Sequence, residues 1–343
     1  MRTFKKFTAF VAVLLVSCCA FTFLLAQPSV MKIMIKQTQR NQCDTVFVGQ
    51  SHGESDVDPF LFDKETGSNS MNCSRRLTPN KNLYYVVKDC NSKGNLKRVF
   101  CEIDPTYWTG FGGGRGEDVN GLFYLSPVMK AEYFFKEMLD NNFTTALFDY
   151  GVNQLSLSRI PSNIRIRTNI DYIKKNDDAV AFINDSIGVS DKYEYKGKGF
   201  RYGLESEFNP EDYESFTFNE EDVTDDCVSS FKKLAAYCRD NGIELVCINY
   251  AVSPYRLQHE NLNDAYTYFS ALCKEENVEY IDFNYAKQEY LPRTNSDFVD
   301  VDGHMMGEMA ERQTKLLTQI LKNPENKDKY FYSDYSEVIN SLK

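Results

Sequence analysis

The sequence predicts an α/β fold with a mostly parallel central sheet, and three observations predict it. The apolar run Thr45-Val46-Phe47-Val48 breaks into Gly49-Gln50-Ser51-His52, which reads as a buried strand entering a tight turn. Arg98-Val99-Phe100-Cys101-Glu102-Ile103-Asp104 reads as a third core strand with a polar end. From residue 228 to 282 the pattern runs helix, strand, helix, strand, the signature of a parallel sheet covered by helices. Right-handed crossovers then fix how those helices lie on it.

The chain begins with Arg2, Lys5 and Lys6 ahead of an uncharged stretch from Phe7 to Ala26, long enough for a membrane-spanning helix. The basic flank belongs inside, so the remaining chain is expected outside the cytoplasm. A cleaved signal peptide and a lipoprotein box at Leu15-Val16-Ser17-Cys18 are the rival readings. Residues 27–42 read as a polar tether carrying Lys32, Lys36 and Arg40. Ser70 to Ser74 reads as a short strand and its exit loop, and a helix follows Thr78-Pro79. Residues 109–121 form a glycine-rich loop that lacks the Lys-Ser/Thr pair of a phosphate loop. Residues 127–140 are helical in pattern, and about 150–220 reads as an insertion or lid. The elements from 228 onward are regular. Val228, Phe231, Leu234, Ala235 and Cys238 share a helical face closed by Asn241-Gly242, ahead of the strand Ile243 to Ile248. Leu262, Ala265, Phe269, Leu272 and Cys273 line the next helix, and Val278 to Asp282 the next strand. A last helix is expected near His304, and residues 323–343 read as a polar surface tail.

Composition excludes some functions. A formal charge of −10 and no basic stripe argue against a nucleic-acid partner. With 25 Phe and 22 Tyr the chain is not disordered. Beyond Cys18 and Cys19 the cysteines fall at 43, 73, 90, 101, 227, 238, 247 and 273, with no Cys-x-x-Cys pair and no spacing that fixes a disulfide pairing. Asn72, Asn142 and Asn184 open glycosylation triplets, which matter only in a glycosylating host.

Ser51 follows a strand's C-terminal end, where open α/β sheets bind ligands. A serine nucleophile needs a base, and the base needs an orienting acid. The three histidines are His52, His259 and His304. His52 adjoins Ser51, so their side chains are expected to diverge, and His259 reads as solvated. His304 lies near the other end of the chain, yet loops at one sheet edge converge, so it can meet Ser51. Asp302 or Asp300 can orient its ring, and either acid can instead cap a helix. A metal reading would join Asp44, His52, Asp300, Asp302 and His304.

Gly49-Gln50-Ser51-His52 early and Asp300-Val301-Asp302-Gly303-His304 late resemble the first and last blocks of the SGNH/GDSL hydrolase superfamily. The likeness extends to its membrane-anchored branch, related to the D-alanyl-lipoteichoic acid protein and polysaccharide O-acyltransferases. The stretch 228–284 and the Lys196-Gly197-Lys198-Gly199-Phe200 patch are also similar, and the resemblance spans roughly 42–322. It implies a flavodoxin-like three-layer α/β/α sandwich at 43–322, with Ser51 as nucleophile and His304 as base. Asp302 is preferred over Asp300 as the orienting acid. The usual Gly-x-Asn-Asp oxyanion block is missing, and Asn72 with the Cys73 or Ser74 amide is the substitute by position. The resemblance further implies no cofactor and an acyl ester of an envelope glycan or teichoic-type polymer as substrate. It also implies the bilayer, and a membrane-bound O-acyltransferase, as partners. The alternatives are a non-catalytic glycan-binding relative and a metal-dependent phosphoesterase built on Asp44, Asp302 and His304.

Overall fold

The computed structural model describes residues 2–25, 30–109, 121–138, 157–161, 164 and 192–342. The glycine-rich loop, the Asn142 and Asn184 triplets and most of the 150–191 insertion lie outside that set. The chain opens with α1 (Arg2–Leu25) and α2 (Val30–Asn41), followed by β1 (Thr45–Val48), α3 (Ser51–Ser55), α4 (Pro59–Thr66) and β2 (Ser70–Asn72). Next come α5 (Asn80–Cys90), β3 (Arg98–Glu102), α6 (Pro105–Trp108), α7 (Gly121–Tyr124) and α8 (Pro127–Tyr133). A hairpin of β4 (Tyr193–Gly197) and β5 (Phe200–Gly203) precedes α9 (Asp225–Asp240), β6 (Glu244–Asn249), α10 (Pro254–His259), α11 (Leu262–Glu275) and β7 (Glu279–Asp282). Helices α12 (Gly307–Lys322) and α13 (Tyr335–Ser341) complete it.

The sheet runs β2-β1-β3-β6-β7, and each neighbouring pair is parallel. The hairpin is a separate two-stranded sheet, so counting the central strands alone gives the doubly wound order 2-1-3-4-5. Strand periodicity then sorts the core onto two faces. Val46, Val48, Val99, Cys101, Leu245 and Cys247 point into one cluster, joined by Leu83 and Val87 of α5, Phe231 and Leu234 of α9, and Phe269 of α11. Phe47, Phe100, Val246, Ile248 and Ile281 point into the other, under Phe62 of α4 and Met309, Leu316 and Leu317 of α12. Phe47 stacks on Phe100 at 4.7 Å and meets Phe62 edge-on at 5.1 Å.

Three segments differ from the sequence expectation. The expected tether is α2, which buries Val30, Met31, Ile33, Met34 and Ile35 in the first cluster and leaves Lys36 and Arg40 outside. The expected polar tail packs as well. Phe331 forms a bridge with Ala286, and Val338 of α13 is buried beside Leu257 and Tyr285. The last helix begins at Gly307 and leaves His304 in the loop before it.

In α1 the side chains of Phe7, Phe10, Val13, Val16 and Phe21 are exposed. Among the described residues no helix is long and apolar enough to cross a membrane. The expected span from Phe7 to Ala26 includes positions outside that set. Among the described cysteines, residues 43, 73, 90, 101, 227, 238, 247 and 273 are free thiols, and only Cys227 is not buried. Cysteine here is mainly a small core side chain.

Candidate functional site

In a 2-1-3-4-5 sheet the direction of winding reverses between β1 and β3, and a crevice opens beyond their C-terminal ends. Ser51 follows β1 there, and Asp104 follows β3. The turn carrying Ser51 is wrapped on an acid from the neighbouring strand. Glu102 Oε2 accepts the Gln50 N–H at 2.6 Å and the Gly53 N–H at 2.9 Å. This approach dictates both glycines, since a Cβ on Gly49 or Gly53 would lie 2.2 or 2.7 Å from that oxygen. The Gln50 side chain anchors the turn from the other side, donating to Asn80 Oδ1 at 2.6 Å and the Thr78 carbonyl at 3.3 Å. Ser51 is half-buried at the first position of α3.

His304 approaches from the last loop. Phe298 and Met305 pair across it, and the Val299 N–H donates to the His304 carbonyl at 2.7 Å. Gly303 makes the bend with φ +103°, where residues with a Cβ are strained. Asp300 Oδ2 lies 2.7 Å from His304 Nδ1, and Asp300 Oδ1 accepts the His304 N–H at 3.3 Å. Burial would raise the Asp300 carboxyl, but its bonds to His304 hold it below the usual carboxylate range. Nδ1 therefore carries the ring proton on this side, and a neutral ring keeps its lone pair on Nε2.

Asp302, the preferred orienting acid, does not fill that role. It sits at the loop's tip with an exposed side chain, and its backbone carbonyl points inward. His52 Nε2 lies 2.9 Å from that carbonyl, and Arg256 Nη1 also donates to it. On its other side His52 Nδ1 lies 3.2 Å from Asp104 Oδ2 and 3.6 Å from Glu102 Oε1. Both ring nitrogens face acceptors, so both carry protons. Burial works against that charge, but the neighbouring carboxylates of Asp104 and Glu102 overcome it and hold His52 well above its ordinary range. The rings of His52 and His304 lie 4.9 Å apart, tilted by 36°. A further contact joins the two segments, where the Met305 N–H donates to Asp56 Oδ1 at 2.9 Å.

The substitutes for an oxyanion block are committed elsewhere. Asn72, Cys73 and Ser74 are wholly buried. Asn72 Nδ2 donates to the Gly53 carbonyl at 2.6 Å, and Asn72 Oδ1 accepts the Ser74 N–H at 2.9 Å. The Cys73 N–H donates to the Phe47 carbonyl at 2.7 Å. These groups brace β2 against the serine turn, and burial of Asn72 also removes it as a glycosylation site. Tyr107 was not singled out in the sequence, yet its phenol is within reach of the Ser51 side chain. Burial, with Asp104 and Glu102 nearby, pushes that phenol up to about 12, so it stays a donor.

No family model matches the chain, and no curated protein matches it. Its structure is similar to the crystal structure of a GDSL-like lipase from Bacteroides thetaiotaomicron, at 10% identity and a TM-score of 0.36. That similarity covers 83% of this chain and 90% of the other.

Metal binding was the other expectation, and of the residues drawn into it Asp300, Asp302 and His304 come together while Asp44 stands apart. Asp44 precedes β1, at the opposite end of that strand from Ser51, where its Oδ1 accepts from Thr45 and from the Asn69 N–H. Among the described residues, two groups have donors close enough to hold an ion: Asp300 with Asp302 and His304, and the buried trio His52, Glu102 and Asp104. In the trio a proton on His52 Nδ1 already answers the carboxylates. His259 stands apart, stacked on Tyr255 at 4.0 Å.

Proposed function

We propose that this chain is a serine-dependent acyl-ester hydrolase or O-acyltransferase of the SGNH type, with Ser51 as nucleophile, His304 as base and Asp300 as orienting acid. One observation carries the reading. Asp300 holds His304 Nδ1 at 2.7 Å in the loop that packs on the Ser51 turn at the sheet's switch point. His304 Nε2 takes the Ser51 proton as Oγ attacks the acyl carbonyl. The tetrahedral oxyanion is met by the Ser51 N–H, which has no partner among the described residues and sits at a helix start. Collapse expels the alcohol, which recovers the proton from His304. Water or a sugar hydroxyl then accepts the acyl group from Ser51.

The substrate class belongs to the same proposal: an acyl ester of envelope glycan or a teichoic-type polymer, met outside the cytoplasm. Its support is the sequence alone, the basic flank of Arg2, Lys5 and Lys6 ahead of the uncharged stretch from Phe7 to Ala26. A membrane-bound O-acyltransferase is the partner this placement suits.

Turnover of a short acyl ester tests the reading. Ser51→Ala should lower kcat by about a thousandfold or more. Equal rates in parent and variant reject Ser51 as nucleophile. The second reading, a glycan-binding protein without catalysis, is favoured by the burial of Asn72, Cys73 and Ser74, which leaves few oxyanion donors. It predicts glycan retention by parent and Ser51→Ala alike, with no ester turnover in either.

A further inference from the structure

We propose that His52 is a positioning residue for Ser51 and His304, a buried cation that fixes the loop carrying the base against the turn carrying the nucleophile. The inference rests on the catalytic reading above. A neutral imidazole has one N–H and could serve only one of the two acceptors that His52 faces, Asp104 Oδ2 at 3.2 Å and the Asp302 carbonyl at 2.9 Å. The charged ring serves both, and so links the end of β3 to the tip of the last loop.

The loop is gripped at that tip. The Asp302 carbonyl also accepts from Arg256 Nη1, and Arg256 is itself held through Nε by Glu260 Oε1 at 2.8 Å. Gly303 packs directly on the ring, since a Cβ there would lie 3.6 Å from His52 Nε2. Asp300 and His304 stand on either side of this clamp. On the nucleophile's side, Glu102 holds the N–H groups of Gln50 and Gly53, which flank Ser51 and His52. Displacement of the His52 ring would therefore move His304 relative to Ser51 while leaving the sheet intact. The charged or titratable groups around the ring are Glu102 at the end of β3, Asp104 just beyond it, Asp56 beyond α3, Tyr107 of α6, Arg256 of α10 through the shared Asp302 carbonyl, and Asp300 and His304 of the loop before α12.

The test compares parent, Ser51→Ala, His52→Leu and His52→Gln with p-nitrophenyl acetate, reading kcat and KM separately beside the melting temperature. His52→Leu should lose about a hundredfold in kcat, the scale of a misplaced reacting group, with KM nearly unchanged. His52→Gln keeps one donor for the Asp302 carbonyl and should recover part of that loss. The acid limb of the kcat/KM profile should move to higher pH in both variants, because a cation 4.9 Å from the His304 ring has been removed. A merely structural role would lower the melting temperature and leave that limb in place. Parent-like kcat with an unmoved limb in folded His52→Leu overturns the proposal, and in His52→Gln it does so if the leucine variant does not fold. Turnover that is absent or independent of Ser51 removes the catalytic reading and this proposal with it. Ser51-dependent turnover with parent-like His52 variants removes this proposal alone.

Discussion

Asp300 and Asp302 stand two residues apart, and the loop gives them opposite work. Asp300 turns its carboxylate onto the His304 ring, while Asp302 turns its carbonyl onto His52 and leaves its carboxylate outside. Asp300→Asn is accordingly expected to lower kcat about a hundredfold or more, because the wrong partner for Nδ1–H misorients the ring. Asp302→Asn should change it less than about threefold, since the working carbonyl is unchanged. Steady-state kinetics on one ester separate the two, and a larger loss at Asp302 contradicts the assignment. The sequence placed Ser51 and His304 at one sheet edge because strand ends converge there. Its preference for Asp302 did not hold, because that choice depends on the left-handed bend at Gly303 and the bridge from Phe298 to Met305. Glu102 and Asp104 left a readable signal, two acids at the end of an otherwise apolar strand. Their partner was hidden, because side chains of adjacent residues were expected to diverge, and divergence is what lets His52 reach them while Ser51 lies half-buried near the Tyr107 phenol.

At the scale of elements, the strands and the long helices α9, α11 and α12 were legible because their apolar residues recur with one clear period. Helix α2 was not. Its lysines and arginine occupy one face and suggest a solvated tether, while Val30, Met31, Ile33, Met34 and Ile35 form the other, buried face. The consequence is testable by denaturation. Met34→Ala should cost about 2–5 kcal/mol, the range for emptying a core site, and Lys36→Ala within about 0.5 kcal/mol. Equal small effects would make α2 the tether first expected. The hairpin turn at Lys198-Gly199 is a joint between the hairpin and β2. Its Lys198 carbonyl accepts the Asn72 N–H at 2.8 Å, and a Cβ on Gly199 would lie 1.8 Å from the Asn72 carbonyl oxygen.

Across the whole molecule, the site is a set of buried charges closed by contacts from distant parts of the chain, and this gives stability a pH dependence. Burial pushes Asp56 from 3.8 up to about 7, against the pull of His52, the Met305 N–H and His304. Between those values the native protein keeps a proton that the unfolded chain has lost, so this group lowers stability as pH rises through the window. His52, held above its ordinary 6.5, acts in the same direction at higher pH: the stability it contributes below that value is lost as pH rises through its folded value. Asp56→Asn cannot ionise. Its melting temperature relative to the parent should rise from about pH 4 to about pH 7, and a constant difference would contradict the raised value. The parallel direction of the sheet followed from the alternation of helix and strand, while its order 2-1-3-4-5 was not read from the sequence. The cluster of buried charges was not read from it either, because its partners are set by tertiary contacts. The central claim is that Ser51 is a nucleophile activated by His304. It is tested most directly by treating the intact protein with a fluorophosphonate and mapping the adduct by peptide mass spectrometry. The account predicts one adduct, on Ser51, forming about a hundredfold or more slower in His304→Ala. No adduct at Ser51, or one that forms equally fast without His304, would contradict it.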